Sequence, residues 1–219
     1  MRGKISYFKI VLIILGISLS MNIYLSVNHY IYKTKALKNT YSYMLGIRDK
    51  VEGSLVVVDG MLETGQYKGV NILTIYDNVA IISSNMIDLW EDYNFYENKP
   101  IINSTKIESD RNVGTDIFFI IEEYMKNMLI NVMEDNKGIY KLTKKEKEDF
   151  LEIQSLLIEI SGVFKTYDEN ELKGLEGKER EEVVVKKEYW IDMLDKINNI
   201  NIKFSDYNFS KENKVVNEI

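Results

Sequence analysis

Residues Ile10 to Val27 read IVLIILGISLSMNIYLSV, a run without a charged side chain in which only serine and asparagine interrupt the apolar residues. Extended by Tyr7 and Phe8 before it and by Tyr30 to Tyr32 after it, the run approaches the ~20 residues that cross a ~30 Å hydrocarbon layer as a helix. Tyr7, Tyr24, Tyr30 and Tyr32 fall where amphipathic rings favour the two membrane interfaces. The spacing therefore predicts a transmembrane signal-anchor over 10–32, preceded by a basic tail, 1–9. Two rivals stand beside this reading. Ser18-Leu19-Ser20 has the small residues of a signal-peptidase site, but the apolar stretch continues past it through Ile23, Leu25 and Val27. A buried core helix is the other, but the segment has no polar face and amphipathic helix is plentiful elsewhere.

Charge bears on sidedness and on partners. Arg2, Lys4, Lys9 and Lys33 stand without an acid in the first 33 residues, which leaves 24 of the 28 bases against 34 acids in residues 34–219, a net charge of −10. A domain that acidic is repelled by phosphates and anionic headgroups, so nucleic acid is not an expected partner. Arg2, Lys4 and Lys9 favour an inside N-terminus, although Lys33, Lys35 and Lys38 flank the far end almost equally. The expected arrangement is a single-pass cell-membrane protein with its bulk on the extracytoplasmic side. Cysteine is absent, which removes disulfides, thiolate zinc sites and cysteine nucleophiles.

Behind the anchor, one proline and many Leu, Ile, Met, Lys and Glu residues favour long helices. A first helix over about 33–63 carries Leu37, Tyr41, Met44, Val51, Leu55, Val58 and Leu62 at 4-3 spacing. The second, about 67–97, repeats Ile72, Ile75, Val79, Ile82, Met86, Leu89, Tyr93 and Tyr96, widened by Leu73, Tyr76, Ala80, Ile87 and Trp90. Residues 97–113, with Pro100, break helix. A third helix, about 114–135, places Ile117, Phe118, Ile121, Tyr124, Met125, Met128, Val132 and Met133 inside. Thr143 and Glu146 form a capping-box pattern ahead of a fourth helix, about 144–167, striped by Phe150, Ile153, Leu157, Ile160 and Phe164. After a charged linker, 168–180, a last helix over 182–209 carries Val183, Trp190, Leu194, Ile197, Ile200, Phe204 and Tyr207, and 210–219 reads as a flexible C-terminus. The fold expected is all-α: an N-terminal transmembrane helix continuing into an antiparallel four- or five-helix bundle over 33–209, with coiled-coil-like seams.

Four groups of residues invite a functional reading. Trp90, Tyr93, Phe95 and Tyr96 are a candidate ligand or partner surface, with packing at the bundle cap as the alternative. Gly46, Gly53 and Gly60 recur every seven residues and form a candidate helix-docking stripe, at a cost of roughly 1 kcal/mol each in helix propensity. Asp88, Glu91 and Asp92 share one helix face and either attract a cation or lie solvated. Glu122 and Glu123 lack the Glu-x-x-His partners of di-iron bundles, because His29, beside the membrane, is the single histidine. The sequence holds no P-loop, no GxGxxG and no HExxH.

No catalytic, metal or cofactor set stands out, so the expected function is a non-enzymatic, membrane-tethered interaction module acting through a protein partner or self-association. The tail 1–9 is too short to be an output domain. The alternatives are a sensor binding a small-molecule ligand between helices near Trp90 and, more remotely, a carboxylate-based cell-envelope hydrolase with two acids about 5–10 Å apart.

Overall fold

The structure, a computed structural model, describes residues 7–97, 116–135 and 138–209; the side chains of residues 29, 31–38, 95–97 and 116 are outside that description. The regular elements among the described residues are helices and one two-residue ladder. Its elements are α1 (Tyr7–Thr64), β1 (Gln66–Tyr67), α2 (Gly69–Glu97), α3 (Asp116–Asp135), β2 (Tyr140–Lys141), α4 (Lys144–Asn170), α5 (Gly177–Lys186) and α6 (Tyr189–Phe204). Two units are distinguished, Met1–Asn39 and Thr40–Ile219.

In the first unit, Tyr7–Asn28 is long and apolar enough to cross a membrane, and none of its apolar stretch is buried in protein. The polar interruptions do not break the helix. The Ser20 hydroxyl turns back to donate to the Gly16 carbonyl at 2.9 Å, which satisfies it within the helix.

The second unit has a core drawn from all its larger helices. On α2 the expected stripe is buried from Ile72 through Tyr93, because its 3-4 repeat keeps each residue on one face. On α4, Phe150, Ile153, Leu157, Ile160 and Phe164 are buried, joined by Leu156, Val163 and Tyr167. Helix α4 begins as its capping pattern implies: the Thr143 hydroxyl accepts from the Glu146 amide at 3.1 Å, and the Glu146 carboxylate accepts from the Thr143 amide at 2.7 Å.

Three stripes differ from the sequence reading. On α1 the buried residues are Thr40, Met44, Ile47, Val51, Ser54, Val58 and Met61, whereas Tyr41, Leu55 and Leu62 lie half-buried at the flank. The face is rotated because a serine occupies one core position and hides the period. On α3, Val132 is half-buried and Met133 exposed, since the helix end outruns the core. The expected last helix, 182–209, is two. The chain breaks between α5 and α6 at Glu188, whose φ of 59° is left-handed, and α6 ends at Phe204. The expected loop over 97–113 and the tail 210–219 are outside the described residues apart from Glu97, which closes α2.

The ladder closes one end of this unit. Gly65, at φ 64°, takes the left-handed conformation that ends α1, and β1 then pairs antiparallel with β2, Gln66 opposite Lys141 and Tyr67 opposite Tyr140. The Tyr67 and Tyr140 rings stack at 5.4 Å. Helices α2 and α3 pack closely, and α6 meets α2, α3, α4 and α5.

Candidate functional site

Two members of the aromatic group are interior. Trp90 is 7% and Tyr93 2% exposed. Tyr93 stands edge-on to Trp90 at 5.6 Å and to Trp190 of α6 at 6.3 Å. Trp90 and Tyr93 are therefore buried, and Tyr93 joins α2 to α6 through Trp190, a neighbour distant in sequence. The side chains of Phe95 and Tyr96 are outside the described residues.

The glycine stripe meets α2. A Cβ on Gly46 would collide with the Asn85 amide, and one on Gly53 would lie 3.4 Å from Asn78 Nδ2, while one on Gly60 would meet nothing within 4 Å. Glycine at 46 thus leaves room for Asn85, whereas at 53 a Cβ would make only ordinary contact with Asn78, seven residues earlier on α2, and Gly60 faces open space. Gly60→Ala is expected to raise the unfolding free energy by about 0.5–1 kcal/mol through helix propensity. Gly46→Ala is expected to gain less, since Asn85 must rotate away. Urea midpoints of the two variants check the order.

In the acidic group, Asp92 accepts from the Thr40 hydroxyl at 3.0 Å, and Thr40 is fully buried. Burial pushes the Asp92 carboxyl above its ordinary pKa, against the pull of the Thr40 hydrogen bond, with Asp88 and Glu91 adding to the rise. The Tyr43 phenol is raised for the same reasons, burial first and then the charges of Asp88 and Asp92. Among the described residues, no set of three or more His, Cys, Asp or Glu side chains is placed to hold a metal ion. Glu123 is paired with Lys126 one turn on at 3.2 Å, and the His29 side chain is outside the described residues.

The most concentrated polar chemistry lies elsewhere, around Asp149, a fully buried carboxylate on the first turns of α4. The Lys145 ammonium approaches it at 2.9 Å from one turn earlier. The Tyr207 hydroxyl donates to it at 2.9 Å, and Lys145 donates to that same hydroxyl at 3.3 Å. Tyr207 packs on Phe209 at 4.7 Å, and Phe209 on Tyr124 of α3 at 5.6 Å. Beside them the Tyr67 hydroxyl donates to Glu146 at 3.3 Å. Burial, then Asp149 and Glu146, hold the Tyr124 phenol far above its usual range, and burial with Glu146 does the same to Tyr67.

A buried carboxylate demands donors, and Lys145 and Tyr207 supply them. The sequence carried one partial signal for this cluster: Lys145 and Asp149 are four apart, the spacing of a helical ion pair. Nothing local announced Tyr207, 58 residues further on. Since Asp149 has no exposed surface, the arrangement works as a clamp that holds the segment after α6 to α4. Tyr207→Phe is expected to cost about 1.5–3 kcal/mol, the range for a hydrogen bond to a charged group. Thermal unfolding of the variant measures it.

A small cleft of about 20 Å³, room for one or two waters, is lined by Arg48, Asp168 and Arg180 at its polar edge and by residues including Phe164, Leu172 and Met193 on its apolar side. Arg180 donates to Asp168 Oδ1, and Arg48 lies 3.8 Å from Oδ2 of the same carboxylate.

No protein-family model, curated protein or solved structure matches the chain. The class that the fold defines is an all-helical protein with packed helices and one N-terminal helix able to span a membrane.

Proposed function

We propose that this chain is a non-enzymatic, membrane-tethered helical module on the extracytoplasmic face, acting through protein partners. One observation carries the reading: Tyr7–Asn28 is an apolar helix whose apolar stretch has no protein burial at all. In water such a surface is strongly unfavourable, and hydrocarbon is the medium that satisfies both its side chains and its internally bonded backbone. The basic residues Arg2, Lys4 and Lys9 support an inside N-terminus.

Residues beyond the anchor form, in this reading, an antiparallel four- or five-helix bundle. Its support is the opposed sense of paired positions: Arg48 with Asp168 and Asp59 with Gln154 join α1 to α4, and Glu159 with Lys203 and Tyr167 with Asp192 join α4 to α6. A protein partner is favoured by large apolar side chains left in water, among them Met133 at 79% and Val70 at 62% exposure. These two follow Val132 and Gly69, which face each other across α2 and α3, so the exposed residues flank one junction.

Protease treatment of a C-terminal tag in intact and permeabilised cells tests the reading. A membrane-bound tag digested without permeabilisation is the expected result. A protected tag puts the domain in the cytoplasm and overturns the sidedness, and soluble full-length protein overturns the tether. A photo-crosslinker at Met133 that captures no protein in the membrane fraction overturns the partner.

A further inference from the structure

We propose that α5 is a hinged flap, opening as a unit while α4 and α6 stay folded and uncovering the apolar cleft beneath it. Among its ten residues Val184 alone is buried, at 2% exposure. Helix α6, by contrast, buries seven of sixteen. Val184 and Arg180 close one side of the cleft whose other walls include Met44, Leu45, Phe164, Leu172 and Met193. The apolar surface gained by closing is therefore centred on Val184, with Val183 and Val185 half-buried beside it, and local opening is easiest where few buried contacts must break.

Both ends of α5 carry backbone suited to a hinge. Gly174 at φ 79° and Gly177 at φ 50° lie before or at its start, where glycine turns the chain without a Cβ penalty. At the other end the exposed Glu188 takes φ 59°, a conformation L side chains rarely adopt, in a turn where its amide donates to the Val185 carbonyl and its carbonyl accepts from the Ile191 amide.

One latch opposes opening. Arg180 donates to Asp168 at the C-terminal end of α4, and Arg48 approaches the second oxygen of that carboxylate at 3.8 Å. The Arg180 side chain is 19% and that of Asp168 36% exposed, so the pair is partly sheltered from solvent screening. The flap thus has one fully buried side chain, flanked by half-buried Val183 and Val185, and a carboxylate shared with Arg48, whereas its neighbour α6 is held by a full stripe. The lid is separate from the Asp149 clamp, which binds the segment after α6.

Because the chain has no cysteine, single thiols report opening directly. In the full chain, in detergent, Val184→Cys is expected to react with a thiol reagent at least about tenfold faster than Ile197→Cys, which sits fully buried on α6. Adding Asp168→Asn is expected to speed Val184→Cys labelling several-fold and leave Ile197→Cys unchanged. Should a cysteine variant fail to fold, amide hydrogen exchange on the unsubstituted chain reads the same event: amides of Val183 to Lys187 exchange ahead of those of Met193 to Ile197. Equal labelling at the two sites, no response to Asp168→Asn, or exchange of α5 together with α6 overturns the flap.

Discussion

Trp190→Ala is expected to lower the unfolding free energy of the helical domain by about 3–5 kcal/mol, the range for truncating a buried large aromatic. The indole is 1% exposed, and α6, which carries it, packs against α2, α3, α4 and α5. Removing it takes away the edge-on partner of Tyr93 and leaves a hollow that stiff helices close only in part. Against a total stability of about 5–15 kcal/mol the loss is large, and at roughly 2–4 °C per kcal/mol it corresponds to about 10 °C in Tm. Urea unfolding followed by circular dichroism measures it. A loss under about 1 kcal/mol would show that the joint between α2 and α6 closes without the ring and that Trp190 is not its anchor.

Alkali is expected to unfold the domain from about pH 10 upward. The phenols of Tyr124 and Tyr67 have folded pKa values raised above the unfolded one, by burial first and then by Asp149 and Glu146 for Tyr124, and by Glu146 for Tyr67. Tyr207 and Tyr43 are raised too, again chiefly by burial. A raised folded pKa means that the native state keeps protons that the unfolded chain releases above about pH 10, so stability is intact below that pH and falls as pH rises through the window. Each tyrosine that stays protonated costs about 1.4 kcal/mol per pH unit. With Tyr124 and Tyr67 alone, two pH units remove about 5 kcal/mol, comparable with the whole stability. Tyrosinate absorbance and helical circular dichroism recorded in one titration should change together and cooperatively. Smooth tyrosinate formation at the free-residue pKa with the helices intact would show that these phenols are not held as the structure places them.

The sequence carried much of the secondary structure in readable form. The α2 stripe from Ile72 to Tyr93 and the α4 stripe from Phe150 to Phe164 are faultless repeats, and both are buried. Thr143 and Glu146 marked the start of α4 through a pattern whose two hydrogen bonds are present. Each of these signals is local, within a few turns of one helix. Where the signal is interrupted, the apolar period no longer marks the buried face. Ser54 in the α1 core hid the stripe that continues through Ile47 and Met61, and Val183 and Trp190, both apolar, hid the break between them at Glu188.

The functional residues show the same limit. For Trp90 and Tyr93 the sequence leaves a candidate surface and packing at the bundle cap both open, because an aromatic run at a helix end has no local sign of being covered, and the partner of Tyr93, Trp190, comes about 100 residues later. Asp149 passed as one more acid on a charged helix turn. Its burial depends on Tyr207 and on the Phe209 and Tyr124 rings arriving from two other segments.

By itself, then, the sequence determined that the chain is helical, where α2 and α4 turn their apolar faces, and that one N-terminal stretch has the length and apolarity to enter a membrane, because hydrophobic periodicity and continuous apolar length are written residue by residue. Tertiary structure alone decided that Trp90 and Tyr93 are core, that Gly46 and Gly53 face Asn85 and Asn78, that Asp149 is sealed under Tyr207, and that the last helical stretch folds as two. Those outcomes depend on which side chain from a distant segment occupies the neighbouring volume, and burial, hydrogen-bond satisfaction and a tyrosine's pKa all follow from that occupant rather than from the residue's own neighbours in the chain.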